Sequence, residues 1–238
     1  MKNISFIFPI KNEEKRINKL STFIKWCEGN QIRNFEIILV SNGSTDKTVE
    51  KINIFKKKYK FIKLFITTIS SRGVALKIGF KKSIFNNIAI CSIDNAWDLN
   101  FYIKAYKIIN KTDTLVVYGP KDHSNSKIKR PLIRGIISMI CTIYLKFIFG
   151  SLITEDTQCI KIFKKKQIKF VNKLSNSNLF SECEFHILGK LNKIQSASIP
   201  VKVKDIKKTV SIILMIKFIF EALIFRFSKV FLKENNKL

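Results

Sequence analysis

Acidic residues are scarce in this chain. Its 238 residues carry 17 Asp and Glu against 44 Lys and Arg, a formal net charge of +27. Arginine is scarce as well: six of the basic residues are Arg, at positions 16, 33, 72, 130, 134 and 226. An AT-rich coding sequence yields the same Lys, Ile, Asn and Phe bias, so the charge alone names no partner, although it draws the surface towards anionic lipid or nucleic acid. The lysines are scattered, and no RNA-binding or helix-turn-helix signature is present, so no nucleic-acid partner is expected. Cysteines at 27, 91, 141, 159 and 183 form no CxxC pair and are odd in number. That excludes a zinc framework and fits a reduced cytosolic compartment. The two histidines, His123 and His186, lie far apart and read as incidental rather than as ligands. No uncharged apolar run reaches about 18 residues, so a conventional membrane-spanning helix is not expected. The nearest approach, Gly135 to Leu145, is bounded by Arg134 and Lys146. The N-terminal apolar run ends at Pro9 and charges follow at once, so no signal peptide is expected. A hydrophobic content of 46% excludes disorder, and the length suits one domain with an appendage.

What is present is alternation. Apolar runs at Ile4–Ile10, Phe35–Val40, Phe61–Thr67, Ile88–Ile93 and Leu115–Tyr118 read as strands. Between them, Ile17, Leu20, Ile24 and Cys27, then Val49, Ile52 and Phe55, then 74–85 and 101–109 repeat at helical spacing. Continuous apolar strands alternating with helices predict an α/β fold with a mostly parallel sheet covered on both faces. Ligands of such sheets bind beyond the carboxyl ends of the strands. Here those ends are Pro9-Ile10-Lys11-Asn12-Glu13, Ser41-Asn42-Gly43 and Ser92-Ile93-Asp94. The stretch VSNGSTDKT (40–48) has two readings. It is a strand turning into a capped helix, with Asn-Gly as the turn and Asp46 on the helix dipole, or it is the floor of a nucleotide site without its acids.

The second half differs. Residues 127–149 read as one long helix, with Ile133, Ile136, Ile140, Tyr144 and Phe147 on one stripe and Lys127, Arg130, Arg134 and Ser138 on another. A second apolar and basic stretch spans 210–232. Both stretches fit a membrane interface, and both also fit packing on the core with lysines reaching to water.

Several segments stand in one order: FIFPIKNEEKRI, EIILVSNGSTDKT, SRGVALKIGF, CSIDNAW, RPLIRGIIS, EDTQCIKIFKK, FSECEF and IPVKV. Together, over about 4–205, they resemble family-two glycosyltransferases of the GT-A fold. Within that family the chain is most similar to dolichyl-phosphate glucosyltransferases, dolichyl-phosphate mannose synthases and bacterial polyprenyl-phosphate relatives. The resemblance implies a GT-A (Rossmann-like) domain over 1–205 and a basic, amphipathic membrane-interface helix over 206–238. The implied activity is a hexosyltransferase: a sugar moves from a nucleoside-diphosphate sugar to a polyprenyl (dolichyl or undecaprenyl) phosphate with inversion. Pro9, Asn12 and Glu13 match the end of the family's first strand. Gly43, Ser44 and Asp46 match the second, but Ser41 and Asn42 stand where the family has an Asp pair. Arg72 and Gly73 replace its Lys-Gly. The implied donor-binding set is therefore Pro9, Asn12, Glu13, Asn42, Gly43, Arg72 and Gly73.

In CSIDNAW the first metal-motif acid is Ser92 and the second, the ligand of a divalent metal (Mg²⁺ or Mn²⁺), is Asp94, with Asp98 near enough to assist through water. Asp156, Thr157 and Gln158 match the family's transfer-site triplet, so Asp94, Asp156 and Gln158 are the implied catalytic residues. Arg130, Arg134 and Ser138 match the helix that holds the lipid phosphate. Glu182 and Glu184 fall on an Asp-x-Glu pair, where a solvated charge is the simpler reading of Glu182. The resemblance also implies an anionic membrane surface and a membrane-anchoring protein as partners, and a peripheral place on the cytoplasmic face of a membrane. Two other classes stay open: a catalytically impaired relative that acts by binding, because three acids are replaced, and a basic nucleic-acid-binding protein.

Overall fold

The structure is a computed structural model that describes residues 1–94, 96–204 and 212–231, the last segment without the side chains of Ile212 and of 229–231. Strands β1 (Lys2–Ile10), β2 (Arg33–Asn42), β3 (Ile62–Thr67) and β4 (Asn87–Ile90) are linked by helices α1 (Lys19–Gly29), α2 (Thr48–Lys58) and α3 (Arg72–Lys82). Then come α4 (Asn100–Lys111), β5 (Val116–Gly119), β6 (Lys127–Lys129), α5 (Leu132–Phe149), β7 (Ile160–Lys164), α6 (Phe180–Leu191), β8 (Ser196–Ser198), β9 (Lys202–Lys204) and α7 (Ile212–Phe225).

Seven strands form one sheet in the order β3-β2-β1-β4-β7-β5-β8, and β6 pairs with β9 apart from it. β1 to β4 are mutually parallel, while β7 runs antiparallel to both its neighbours. Pairing of Pro9 with Val40 and of Ile10 with Ser41 brings the ends of β1 and β2 to the same edge. Strand residues alternate between two cores, which is why the runs are continuous in sequence. Phe6 and Phe8 pack with Phe23 of α1, at 5.0 Å between centroids in both cases, and Phe6 also with Tyr102 of α4. Ile7, Ile38 and Phe163 face the opposite side with α3 and α6. Gly79 of α3 permits that packing, since a Cβ there would stand 2.5 Å from Ile7 Cγ2.

The single helix expected over 127–149 is not formed. Residues 127–129 are strand, and the helix starts at Leu132 after Pro131. Proline disfavours helical backbone in the residue before it, so Arg130 is not part of the helix. Leu132–Leu152 is nevertheless long and apolar enough to cross a membrane by length and composition, with a mean hydropathy of 1.8. The expectation drawn from the lack of an uncharged run does not hold by that measure. α7 packs Phe218, Ala222 and Phe225 onto Phe149 and Phe180. The expected boundary at 205/206 falls outside the described residues.

Candidate functional site

The carboxyl ends of β1 and β2 open into a cleft of about 250 Å³ lined by Pro9, Lys11, Glu13, Asn42, Arg72, Asn178, Leu179 and Leu214. Four of the expected donor-side residues, Pro9, Glu13, Asn42 and Arg72, therefore line one space. Of the other three, Asn12 and Gly43 shape the loops around it. Asn12 has φ 52°, a left-handed conformation that asparagine tolerates. Its Oδ1 accepts from Thr45 N at 2.8 Å, which ties the β1 loop to the β2 loop. Gly43 has φ +72°, and a Cβ there would meet Thr68 O at 3.1 Å. Gly73 does not face the cleft as expected. Its N–H donates to Ser177 O at 3.0 Å, and a Cβ would collide with Ser175 O at 2.1 Å. Ser71 caps α3 by accepting from Val74 N and also donates to Ser177 O. The start of α3 is thus spent on the 175–178 loop.

VSNGSTDKT forms the turn out of β2 into α2, although α2 starts after Lys47 with no side-chain cap at that position. Ser41 is fully buried and donates to or accepts from Ser44 Oγ at 2.9 Å. Asp46 accepts from Thr48 N at 3.0 Å and from Glu14 N at 3.1 Å, fastening the loop below the cleft. Asn42 remains on the cleft wall.

A second space, about 100 Å³, is lined by Arg72, Ser92, Trp97, Gln158, Glu182 and neighbouring strand residues. Asp94 stands just beyond β4. Its Oδ1 accepts from Ser92 Oγ at 2.8 Å and from Ala96 N at 3.2 Å, and its carbonyl oxygen accepts from Lys19 Nζ at 2.8 Å. Asp98 Oδ1 accepts from Asn100 N at the start of α4.

Glu182 overturns the reading as a solvated charge. It is 3% exposed and accepts from Arg72 Nε at 2.6 Å and from Lys161 Nζ. Burial raises the Glu182 carboxyl, but attraction to Lys161 and then Arg72, with their hydrogen bonds, outweighs that and holds it at about 2. Lys161 is buried too. Desolvation opposes its charge, and Glu182 more than restores it, so its pKa is raised.

The third space, a groove of about 200 Å³, is lined by Lys121, Arg130, Arg134, Ser138, Thr142, Asp156, Thr157 and Gln158, with apolar walls from Ile137, Leu145, Leu179 and Phe218. The three expected phosphate-side residues meet here, although Arg130 reaches the groove from the loop before α5. Asp156 Oδ2 lies 3.0 Å from Lys121 Nζ, and Lys121 also donates to Gln158 O at 2.9 Å. Gln158 Nε2 donates to Leu179 O at 2.6 Å. Three cations thus face one carboxylate.

The three spaces form one crevice, because Arg72 borders the first and second, Gln158 the second and third, and Leu179 the first and third. A larger cavity of about 590 Å³ lies away from the strand ends, among Lys166, Lys169, Lys173, Phe170 and Phe225. Size does not locate the site; the convergence of polar groups at the strand ends does.

Among the described residues no three His, Cys, Asp or Glu side chains are grouped to hold a metal. A lone carboxylate such as Asp94 is chemically suited to a hard divalent cation only where a bound anion and water would supply the other ligands. His186 belongs to no such set: it is 1% exposed, its ring lies tilted against Tyr118 with centroids 4.7 Å apart, and burial first, then Lys161, depresses its pKa to about 3. The sequence reading missed Lys161 and Lys121. A lysine inside the apolar run Ile160-Lys161-Ile162-Phe163 was the available signal for the first, whereas nothing local marks Lys121.

Residues 5–170 match the glycosyl transferase family 2 model. A dolichyl-phosphate beta-glucosyltransferase of Trichomonas vaginalis is 25% identical over 218 residues, which cover 85% of this chain and 66% of that protein. An uncharacterized glycosyltransferase of Haemophilus influenzae is 37% identical over 93 residues, 39% of this chain and 36% of its own. The chain thus spans somewhat less than two thirds of the length of the first relative. In three dimensions it resembles glucosyl-3-phosphoglycerate synthase of Mycobacterium tuberculosis with a TM-score of 0.69 at 14% identity, covering 94% of this chain and 80% of that one. TarS of S. aureus gives 0.59 at 17% identity, covering 86% and 60%. At these identities the likeness shows a shared GT-A fold. The family match extends over most of the chain and over every strand end that lines the crevice, and on that ground the protein belongs to glycosyl transferase family 2.

Proposed function

We propose that the protein transfers a hexosyl group from a nucleoside-diphosphate sugar to the phosphate of a polyprenyl phosphate, with inversion, at the cytoplasmic face of a membrane. The observation that carries this reading is α5. Its inward face presents Arg134, Ser138 and Thr142 to the groove, beside Arg130, while Leu132, Ile133, Ile136, Met139, Ile140, Ile143 and Phe147 are exposed on the outside. A phosphate-binding groove backed by a bare apolar helix suits an anionic head on a long apolar tail. α7 exposes Ile213, Leu214, Ile216, Ile219, Phe220 and Ile224 next to it, and Phe227 follows just after, which extends the apolar surface.

The chemistry asks little of a general base. A phosphate monoester has a second pKa of about 6, so its oxygen is already anionic at neutral pH. That oxygen attacks the anomeric carbon as the bond to the donor diphosphate breaks, and the nucleoside diphosphate departs with the electron pair. Arg130, Arg134 and Ser138 hold the attacking phosphate and offset its repulsion by the donor. Asp156 holds Lys121 at the groove wall, and Gln158 borders both groove and centre. Pro9, Glu13 and Asn42 wall the donor, and Arg72 faces the diphosphate. A divalent cation on Asp94, Mg²⁺ or Mn²⁺, supplies charge for the departing diphosphate when bound. Support for that cofactor comes from the Mycobacterium tuberculosis synthase, solved in complex with Mn²⁺ and UDP.

Peripheral attachment follows from the apolar faces and the basic surface, with a membrane-anchoring protein as a further partner. The domain reading, a transferase body over 1–205 and an interface helix after it, is part of the same proposal. The test is a donor screen with polyprenyl phosphate, with and without chelator, reading radiolabel in the organic phase. Label that appears there only without chelator supports the reading. A second reading, an impaired relative that binds without transfer, is favoured by Ser41, Asn42 and Ser92 at three acid positions. Binding of nucleotide sugar with no label transferred to any acceptor selects it.

A further inference from the structure

The transfer scheme leaves one charged cluster without a task. Lys161 sits in the middle of the sheet, paired in register with Ile90 of β4 and Tyr118 of β5, and is 1% exposed. Its Nζ donates to Glu182 Oε2 and lies 4.9 Å from the Phe185 ring centroid. Glu182, in the first turn of α6, accepts through its other oxygen from Arg72 Nε at 2.6 Å. Arg72 opens α3 with its side chain 31% exposed, and it is the side chain that borders both the donor cleft and the centre. One buried carboxylate therefore joins a cation sealed from water to a cation on the crevice wall.

Two charges would suffice to hold Arg72 in place, since a Glu–Arg pair is well matched and hydrogen-bonded. Such a pair is neutral and presents no net attraction to an anion. Adding a lysine at the centre of a sheet is costly, because its desolvation must be offset by that same carboxylate. The cost changes one thing at the crevice: Arg72 and Glu182 both line it, and with Lys161 behind them the trio carries a net charge of +1 rather than none.

We propose that Glu182 and Lys161 are positioning residues for Arg72: Glu182 fixes the guanidinium at the junction of donor cleft and reaction centre, and Lys161 cancels the Glu182 charge so that Arg72 meets the donor diphosphate uncompensated. The inference rests on the reading of this cleft as the donor site. It also accounts for how a crevice short of acids, and so short of metal ligands, retains hold of an anionic leaving group. Arg72 takes part of the charge by direct contact.

The test is a mutant cycle on the full-length protein. UDP and GDP binding are measured by calorimetry with Mn²⁺ and by the fluorescence of Trp97, which lines the same space. Arg72→Gln should weaken nucleoside-diphosphate affinity by about tenfold to hundredfold, the scale of one charge-assisted contact. The paired change Lys161→Met with Glu182→Gln replaces the buried ions by neutral side chains of similar size, which such sites tolerate. In the wild-type background it should weaken affinity by about tenfold; in the Arg72→Gln background it should add nothing. Lys161→Met alone leaves Arg72 neutralised and should cost at least as much as the paired change. Unchanged affinity in the folded paired variant, or losses that simply add, overturns the proposal. Should the paired variant fail to fold, Glu182→Asp keeps every charge and shortens the tether by one methylene. Weaker donor affinity with unchanged acceptor KM supports positioning, and unchanged donor affinity overturns it. Wild-type protein that binds neither nucleotide defeats the donor reading itself, and this inference with it.

Discussion

The two flanks of the crevice hold their polar groups by different means. On the donor flank, Pro9, Glu13, Asn42 and Asp94 stand at or just past the ends of β1, β2 and β4, strands whose central residues are buried on both faces. On the other flank, Arg134 and Ser138 ride on α5, where Leu145 and Phe149 are the buried residues and the outward side chains are bare. The strand ends are fixed by hydrogen-bonded register. The α5 groups are fixed by one helix whose polar side faces the protein and whose apolar side faces out. A helix polar towards the protein and apolar away from it is stable where something other than water covers the outer face.

Substitutions can break this contrast. The largest effect is expected on the donor flank. Asp94→Asn removes the carboxylate at the end of β4, and a neutral amide is a poor ligand for a hard cation. Transfer should fall by about 10²–10³-fold, the scale of losing one charge-stabilising group. Unchanged turnover, or full activity in chelator, would sink the metal assignment. Ser92→Asp should tighten Mn²⁺ binding by calorimetry even without nucleotide. On the acceptor flank, Arg134→Ala should cost about 1.5–3 kcal/mol in acceptor kcat/KM while nucleotide-sugar affinity survives. Equal loss of donor binding would move Arg134 to the other substrate.

Changes on the bare face should separate binding from folding. Ile140→Glu should leave thermal stability within about 0.5 kcal/mol, since the residue is 55% exposed and belongs to neither core. It should lower partition into anionic vesicles by about tenfold. Vesicle binding of the wild type should weaken at high salt or in alkaline carbonate. Resistance to both, with release by detergent alone, would instead favour Leu132–Leu152 crossing the membrane.

The smallest effect concerns pH. The Glu182 carboxyl is depressed from 4.5 to about 2, so its stabilisation is present above the ordinary carboxylate value and is lost as pH falls through about 2. The Lys161 amine is raised above 10.5, so its contribution is complete below that value and is lost as pH climbs past the raised one. Thermal unfolding should therefore show a plateau between these limits from this pair. The paired Lys161→Met, Glu182→Gln change should flatten both edges, and an unaltered acid edge would show that other carboxylates set it.

Much of the donor flank was legible in the sequence. Apolar runs ending in Pro9, Asn42 and the Ser92-Ile93-Asp94 segment located three strand ends, because a strand buried on both faces leaves an uninterrupted apolar signature. The convergence of Arg130, Arg134 and Ser138 was also anticipated, though for a reason that fails at Arg130. Helical spacing was extended through Pro131, where backbone sterics stop it, and the loop brings Arg130 to the groove instead. Gly73 was expected in the donor-binding set. Its absent Cβ serves an approach to Ser175, a residue about a hundred positions away that no local pattern could indicate.

By itself the sequence determined the alternation of strands and helices, the strand ends where a ligand belongs, the deficit of acids there and the two apolar, basic stretches of the second half. These are local or periodic properties, set by which side chains can be taken out of water at spacings of two or 3.6 residues. The tertiary structure decided what Lys161, flagged by its apolar neighbours and the one buried lysine among the described residues, is paired with. It also decided that Glu182 is buried with it and paired to Arg72, and that α5 turns Arg134 and Ser138 to the groove while Ile133, Ile136, Ile140 and Ile143 stay bare. Each of these depends on which elements lie side by side, and charge carries no period from which a distant partner can be read.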